Sequence, residues 1–355
     1  MKLDPQIDQL HARLSRELEN FSPGDRFYSV RTIMARFHAN LRVVNGTLDR
    51  LEKEDLIRRE PGCGLFCVAG EGDRRNTVLF IAPDWPSVEF QSFVDIFKRE
   101  TSCRIISSYF DPEGDFLKNV PQTRIDAFFL FGDSRGYSLE SLLRLKELGK
   151  PVVFWGYDYE DLPFSSITYH NMEGGMLACD YLISHGCRKL LCLRSEPQKH
   201  SIEERLEVFC TYARLHDVPV NRLDCATRPG EFATGAAYDT LNAYLDTHAC
   251  DFDGLFIDSC YSARGVYAAL TEHRLRVGVD VNVISFKGFG TLSCLQPDLT
   301  TVGCDPEMSS RMLYRQLNAV WDRKIPCFHI KVPMHINAKA SVCQLRPPRK
   351  DAANQ

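Results

Sequence analysis

The stretch from Phe21 to Val68, FSPGDRFYSVRTIMARFHANLRVVNGTLDRLEKEDLIRREPGCGLFCV, decides the fold of the N-terminal part of this chain. Ser29 can cap a helix, and Asn40 can cap a second one. Apolar residues follow both caps at helical spacing: Val30, Ile33, Met34 and Phe37, then Val44, Leu48 and Leu51. The sequence therefore predicts two amphipathic helices joined by a short turn.

A hairpin is predicted after these helices. The runs 56–60 and 65–68 flank the glycine-rich tip 61–64. A further amphipathic helix precedes them, with the apolar residues Ile7, Leu10, Leu14 and Leu18. The order of three helices and a two-stranded hairpin predicts a winged helix-turn-helix over residues 1–68, a module that places a helix in the major groove of duplex DNA.

The segment resembles the DNA-binding domain of the GntR family of bacterial repressors. Pro23-Gly24-Asp25, the Ser29-x-Arg31 helix start, the helix from Asn40 and the Gly62-x-Gly64 wing carry the resemblance. Leu41 replaces the arginine that opens the recognition helix in that family, and Arg42 lies one place on. The resemblance implies DNA contacts from Arg31, Asn40, Leu41, Arg42, Val43, Asn45, Arg58, Gly62 and Gly64.

Charge alone does not point to nucleic acid. The chain carries a net charge of −4, and residues 1–68 hold eleven basic and ten acidic side chains. Because phosphate neutralisation supplies much of DNA affinity, a domain this neutral must gather its cations on one face. We expect Arg31, Arg42, Arg58 and Arg59 to share that face. A solvated, salt-bridged helix surface is the alternative.

Composition bounds the rest of the 355-residue chain. The apolar and charged fractions are those of a soluble globular protein, and the N-terminus lacks the apolar segment of a secretory signal, so a cytoplasmic location is expected. Fourteen cysteines are scattered without a Cys-x-x-Cys pair, which favours reduced thiols over disulfides or zinc. No nucleotide-binding glycine motif is present, and no cofactor or metal is expected.

A second architecture begins after a polar linker at 69–76. Apolar strand-like runs alternate with helical periods at 78–82, 104–109, 127–131, 152–155, 189–193, 255–257 and 281–286. Such alternation predicts a doubly wound α/β fold with parallel sheets, and its length favours two lobes.

From Asn171 to Leu193 the chain resembles the second lobe of LacI-type effector domains, a fold shared with periplasmic sugar-binding proteins. Arg205, Phe209, the Ala263-x-Gly265 turn and the strand 280–286 support the resemblance, which covers residues 77–343. It implies a lobe of 77–168 with 291–322, a lobe of 169–288 with 325–343, and a tail at 344–355. A GntR-type head on a LacI-type body resembles the arabinose-responsive hybrid repressors, which implies a homodimer that binds an operator and a small effector.

The residues expected to line the cleft between the two lobes differ from those of the sugar-binding family. The resemblance places Ser259-Cys260 where the family has Asn-Asp, and Lys287 where it has an aspartate, while Arg205 is kept. Two cations with few carboxylates favour an anionic effector, such as a sugar acid or sugar phosphate, over a neutral sugar. The candidate effector-binding residues are Asp84, Trp85, Ser134, Tyr157, Arg205, Phe232, Ser259, Cys260 and Lys287.

Two other readings stay open. One is an orphan regulator whose cleft binds no small molecule. The other is an α/β hydrolase fused to a DNA-binding head, because Gly132-Asp133-Ser134-Arg135-Gly136 matches the Gly-x-Ser-x-Gly elbow. No His-Gly-Gly oxyanion loop accompanies the elbow, so we expect Ser134 to lie in a loop and not to act as a nucleophile. The protein is expected not to be an enzyme.

Overall fold

The structure is a computed structural model that describes residues 5–18, 21, 25–54, 56–60, 64–67, 76–84, 87–111, 114–118, 120, 124–132, 137–159, 161–248, 250–289 and 295–345. Contacts divide the chain into two compact units. One comprises residues 1–79 with 101–106 and 122–127, and the other comprises 80–100, 107–121 and 128–355.

The N-terminal head is a winged helix. Its elements are α1 (Pro5–Leu18), α2 (Val30–Phe37), α3 (Leu41–Lys53), β1 (Ile57–Glu60) and β2 (Gly64–Cys67). The predicted caps form: the Ser29 Oγ accepts from the Thr32 N–H at 3.1 Å, and the Asn40 Oδ1 accepts from the Val43 N–H at 3.0 Å. Between α2 and α3, His38 adopts the left-handed conformation that ends the first helix.

The buried side chains of the head confirm the predicted helical periodicity. The fully buried residues include Leu10, Leu14, Ile33, Val44, Leu48 and Leu51. β1 and β2 pair antiparallel. An isolated antiparallel bridge joins Arg26 to Phe66 of β2, where the Phe27 N–H donates to the Leu65 carbonyl and the Cys67 N–H to the Asp25 carbonyl, each at 2.8 Å.

The body contains two six-stranded sheets. Its elements are β3 (Thr77–Pro83), α4 (Val88–Glu100), β4 (Arg104–Phe110), β5 (Ala127–Phe131), α5 (Leu139–Glu147), β6 (Val152–Trp155), β7 (Ser165–Tyr169), α6 (Asn171–Ser184), β8 (Leu190–Arg194), α7 (His200–Leu215), β9 (Val220–Asp224), α8 (Ala233–Thr247), β10 (Gly254–Ile257), α9 (Ala263–Glu272), β11 (Asn282–Lys287), β12 (Thr300–Gly303), α10 (Pro306–Trp321), β13 (His329–Val332) and β14 (His335–Asn337). The predicted two-lobed α/β fold is confirmed.

The first sheet has the order β13-β7-β6-β5-β3-β4, and the second has the order β14-β12-β11-β10-β8-β9. In the first sheet, β13 with β7, β7 with β6 and β6 with β5 pair parallel. In the second sheet, β12 with β11, β11 with β10, β10 with β8 and β8 with β9 pair parallel, while β12 and β14 pair antiparallel. The central strands are buried on both faces, as β5 and β10 show, which explains why they read as continuous apolar runs.

The expected lobe assignment is wrong at two strands. β12, expected in the first lobe, pairs with β11 in the second sheet. β13, expected in the second lobe, pairs with β7 in the first sheet. The helix between them, α10, packs against α4 of the first lobe as expected. The C-terminal part of the chain therefore crosses between the lobes on both sides of the α10–β13 segment.

Candidate functional site

The exposed face of α3 is the candidate DNA-reading surface of the head. Leu41 is 52% exposed, and Arg42 and Asn45 are also exposed. Val43 is different, because it is only 5% exposed and packs in the head core. The base contact predicted for Val43 is therefore wrong: the residue lies on the inner face of the helix that its cap, Asn40, begins.

The cations of the head fall into two groups. Arg58 pairs with Glu60 at 2.5 Å, and Arg59 pairs with Asp49 at 2.6 Å. These partners offset two of the four charges that we expected to act together. Arg31 and Arg42 are exposed and form no ion pair with any residue that the structure describes. Arg31 and Arg42, at the starts of α2 and α3, therefore keep their charges available to a phosphate backbone.

The wing begins at Gly64, whose φ of +121° is a conformation that side chains disfavour. A Cβ at this position would come within 3.0 Å of the Arg26 Nε. The backbone conformation therefore favours glycine at this position. The predicted contact at Gly62 lies outside the described residues.

Arg205 organises the candidate site of the body. Its guanidinium lies 3.4 Å from the centre of the Phe286 ring, and its Nη1 donates to the Asp258 carbonyl at 3.1 Å. Helix α7 brings it there by packing tightly on α6, because a Cβ at Gly175 would overlap the Arg205 carbonyl oxygen. Burial lowers the pKa of Arg205 to about 10, although the negative charges of Asp258 and Glu89 oppose that shift.

Carboxylates surround this arginine. The Asp258 carboxylate accepts the N–H groups of Ser195 and Glu196 at 2.8 and 3.0 Å, and also the Ser195 hydroxyl. Burial raises the pKa of Asp258. The neighbouring Glu196 has a pKa raised to about 7, first by burial and then by the charge of Asp258, while a hydrogen bond to Ser259 opposes the shift.

The first lobe contributes a third carboxylate. Glu89, in the first turn of α4, accepts a hydrogen bond from the Tyr169 hydroxyl at the end of β7. That hydroxyl also accepts the Phe289 N–H at 3.2 Å, and Phe289 packs its ring 4.7 Å from Trp155. The Tyr169 and Phe286 rings lie 5.3 Å apart. We call Glu89, Tyr169, Glu196, Arg205, Asp258, Phe286 and Lys287 the cleft cluster.

Several predicted effector residues lie in or beside this cluster. Ser259 and Cys260 are buried, and burial raises the pKa of the Cys260 thiol to about 12. The positive charge of Lys287 opposes the increase in the pKa of the Cys260 and Cys304 thiols, so its ammonium lies near both of them. Tyr261 adds a buried hydroxyl that has no hydrogen-bond partner among the described residues.

The other predicted effector residues are not members of the cleft cluster, and their role stays a prediction. Phe232 is 74% exposed at the start of α8, and Asp84 is exposed beyond β3. The Tyr157 ring packs 6.3 Å from Tyr137 and 6.2 Å from Tyr159, which places it in a separate aromatic group. Trp85 and Ser134 lie outside the described residues.

The charge argument for an anionic effector is wrong in its premise. We expected Arg205 and Lys287 to face a cavity with few carboxylates. The charges of Asp258, Glu89 and Glu196 all act on Arg205 and raise its pKa against the effect of burial. The cleft cluster therefore has its own counter-charges, supplied from positions other than those that the sugar-binding pattern uses.

Five members of the cleft cluster were not predicted from the sequence: Glu89, Tyr169, Glu196, Asp258 and Phe286. Two of them, Glu89 and Glu196, follow strands of parallel sheets, after β3 and after β8. Ligands of open α/β sheets bind beyond the carboxyl ends of the strands, so acids that follow these two strands could have been predicted by that rule.

Two surface cavities of about 620 and 670 Å³, beside α9 and α10, are lined by none of the residues of the cleft cluster.

None of the helices in the described part is both long and apolar enough to traverse a bilayer. The same residues contain no group of three histidine, cysteine or acidic side chains arranged to hold a metal ion.

Comparisons with known proteins match the body. Residues 179–342 match the family model of the periplasmic binding protein-like domain. The chain is 25% identical over 199 residues to the HTH-type transcriptional repressor PurR of Vibrio vulnificus (strain CMCP6), which covers 54% of this chain and 57% of the relative. It is 27% identical over 187 residues to the ribose operon repressor of Escherichia coli (strain K12), which covers 52% and 55%. The chain thus matches about half the length of these curated relatives.

A solved structure covers more of the chain. The LacI family transcriptional regulator of Enterococcus faecium with bound ribose aligns with a TM-score of 0.63 and 18% identity, over 76% of this chain and 100% of the other. At that identity the likeness establishes the shared fold. The relatives named above are transcription regulators.

Proposed function

We propose that the protein is a transcription repressor that binds operator DNA through its winged head and a small carbohydrate-like effector through the cleft cluster. It works as a homodimer in the cytoplasm, where it meets chromosomal DNA, and it is not an enzyme. Two heads related by a two-fold axis would read two half-sites. The effector would change how the body presents the heads, and so change their affinity for the operator.

The observation that carries this proposal is the exposed start of α3. A helix buried on its Val44 and Leu48 side presents Leu41, Arg42 and Asn45 to solvent, with the Arg31 and Arg42 charges left without an ion pair among the described residues. A head of the GntR type places such a helix in the major groove with its wing, Gly62–Gly64, at or near the minor groove.

Arg42 and Arg31 have different roles in this proposal. Arg42 reads a base, because it lies in the first turn of the recognition helix. Arg31, in the first turn of α2, contacts phosphate. Loss of a bidentate base contact costs about 1–3 kcal/mol and relaxes specificity at one position. Loss of a phosphate contact weakens all sequences and reduces the salt slope by about 1.

The test begins with selection of bound duplexes from a random DNA pool, since the operator is unknown. Fluorescence anisotropy then measures the affinity of wild type, Arg31→Ala and Arg42→Ala at several salt concentrations. Arg188→Ala is the matched control, because it removes an exposed arginine from the loop before β8 in the body. Affinity and salt slope that are the same in both head variants as in the Arg188→Ala control would refute the docking.

The effector half of the proposal rests on the chemistry of the cleft cluster. A carboxylate accepts hydrogen bonds from two hydroxyls, and Glu89 and Glu196 supply that capacity. The buried Tyr261 hydroxyl lacks a partner among the described residues, so a ligand hydroxyl there would remove the cost of leaving it unsatisfied. The ribose repressor and the ribose-bound regulator among the comparisons support a polyhydroxy ligand.

A thermal-shift screen of sugars, sugar acids and sugar phosphates tests the effector half. A ligand at one hundred times its Kd stabilises the protein by about 2.7 kcal/mol. The thermal shift caused by an active ligand should disappear in Glu89→Gln and remain in Arg188→Ala. A panel in which nothing shifts the melting temperature would favour the orphan regulator, and consumption of the hit would revive the hydrolase.

A further inference from the structure

A side-chain cluster at the edge of the first sheet lies outside both the cleft cluster and the exposed face of α3. The Cys327 Sγ lies 3.9 Å from the His329 Nε2. On the other side of the ring, the His329 Nδ1 lies 2.7 Å from the Asp158 Oδ1. The Ser166 hydroxyl donates to the same Asp158 oxygen at 2.8 Å. The His329 imidazole thus lies between the Cys327 thiol and the Asp158 carboxylate.

The hydrogen bonds fix the form of the imidazole. A carboxylate can only accept, so the neutral His329 ring must carry its proton on Nδ1 and donate it to Asp158. That leaves a lone pair on Nε2, which faces the Cys327 sulfur. Asp158 orients the imidazole, as the third group does in nucleophile–base–acid arrangements. The Ser166 hydroxyl, which lies 3.0 Å from the His329 Nδ1, holds the Asp158 carboxylate in place.

Backbone geometry holds the cluster together. Cys327 lies two residues before His329, the first residue of β13, and residues two apart in an extended chain project on the same side. His329 lies opposite Ser166 in the parallel pairing of β13 with β7. Between them, Phe328 points inward, is buried, and donates its N–H to the Ser165 hydroxyl at 3.3 Å.

Three of the other described thiols differ from Cys327 in being buried. Burial raises the pKa of Cys179, Cys187 and Cys304 to about 12, so they stay protonated and unreactive near neutral pH. Cys343 is exposed, and its Sγ lies 3.5 Å from the Ala340 carbonyl oxygen. Cys327 is half-buried and has a histidine base beside it.

We propose that Cys327 is a nucleophilic thiol and a site of covalent modification by small compounds with an electrophilic carbon. His329 takes the thiol proton as the sulfur attacks. The S–C bond forms, and the leaving group departs with the electron pair of the bond that breaks. The imidazolium, which Asp158 stabilises, then returns its proton to solvent. No oxidant or metal takes part.

Iodoacetamide tests the proposal, with iodide as the leaving group. Labelling of the full-length protein at pH 7 is followed by mass spectrometry of tryptic peptides. Residues 325–331 form a peptide in which Cys327 is the single cysteine, and Cys343 falls in a different peptide. We expect Cys327 to react about tenfold faster than Cys343, since a positioned base commonly contributes at least that factor.

Variants of the base and of its positioning residue complete the test. His329→Gln and Asp158→Asn should each lower the Cys327 rate to that of Cys343, and the Cys343 rate should not change. Labelling of the buried Cys187 reports any unfolding of a variant. Equal rates for Cys327 and Cys343 in the wild-type protein would overturn the proposal without any variant. The proposal would also be overturned if Cys327 in a folded His329→Gln protein still reacted at the fast rate. The cluster would then serve only to hold β13 against β7.

Discussion

Replacement of Arg205 by methionine separates a structural role of this residue from a ligand-binding role. The change keeps an unbranched side chain of similar length but removes the charge. Breaking a buried ion pair that supports the fold costs about 3–5 kcal/mol. A charge retained for a ligand behaves differently, because the folded protein without ligand has already accepted the cost of burying it.

The structure allows the balance to be worked out. The pKa of Arg205 is lowered from 12.5 to about 10, which corresponds to a cost of about 3 kcal/mol for holding the cation there. Methionine removes that cost. It also loses a charged hydrogen bond to the Asp258 carbonyl, worth about 1.5 kcal/mol, and a cation–π contact with Phe286, worth about 2 kcal/mol. The terms nearly cancel, so we expect Arg205→Met to change the free energy of unfolding by less than about 1 kcal/mol.

Urea unfolding monitored by tryptophan fluorescence measures this change. All three tryptophans, at 85, 155 and 321, lie outside the head, so the signal reports the body. Arg188→Met is the control for removing an exposed arginine. A loss of 3 kcal/mol or more in Arg205→Met would show that Arg205 supports the fold, and the reasoning above would be refuted. A near-zero change, together with loss of any effector-induced thermal shift, is the expected result.

Two further predictions concern the second lobe. The pKa of Glu196 is raised to about 7, so its protonated form stabilises the fold below pH 4.5, and that stability, about 1–3 kcal/mol, is lost as pH rises through 7. Unfolding measured from pH 4.5 to 8 should therefore show a smaller decline in Glu196→Gln, and an unchanged decline would contradict the assignment. A Cβ at Gly265 would overlap the Thr234 carbonyl oxygen, so Gly265→Ala should cost about 1–3 kcal/mol. Gly235→Ala, whose Cβ meets nothing within 4 Å, is the matched control and should stabilise the helix by about 0.5–1 kcal/mol; similar melting temperatures for the two variants would count against the close α8–α9 packing.

The sequence alone determined the order and kind of the elements. Periodicity is a local property, so the 3.6-residue repeat at Ile33 and Leu48 predicted helices, and apolar runs such as 127–131 predicted buried strands. Caps are local as well, which is why Ser29 and Asn40 were found. The short strands β7, β9, β12, β13 and β14 were not among the predicted runs, because they are less continuously apolar than the central strands.

Only the tertiary structure decided which faces and which distant residues meet. Val43 follows Arg42 in the chain, yet one step of about 100° around the helix turns it from solvent into the core. β12 and β13 could not be assigned to a sheet, because pairing with β11 or β7 is a contact between segments far apart in sequence. The charge balance of the cleft cluster was hidden for the same reason. Glu89 and Arg205 are separated by more than one hundred residues, and only the folded chain brings their charges within reach of each other.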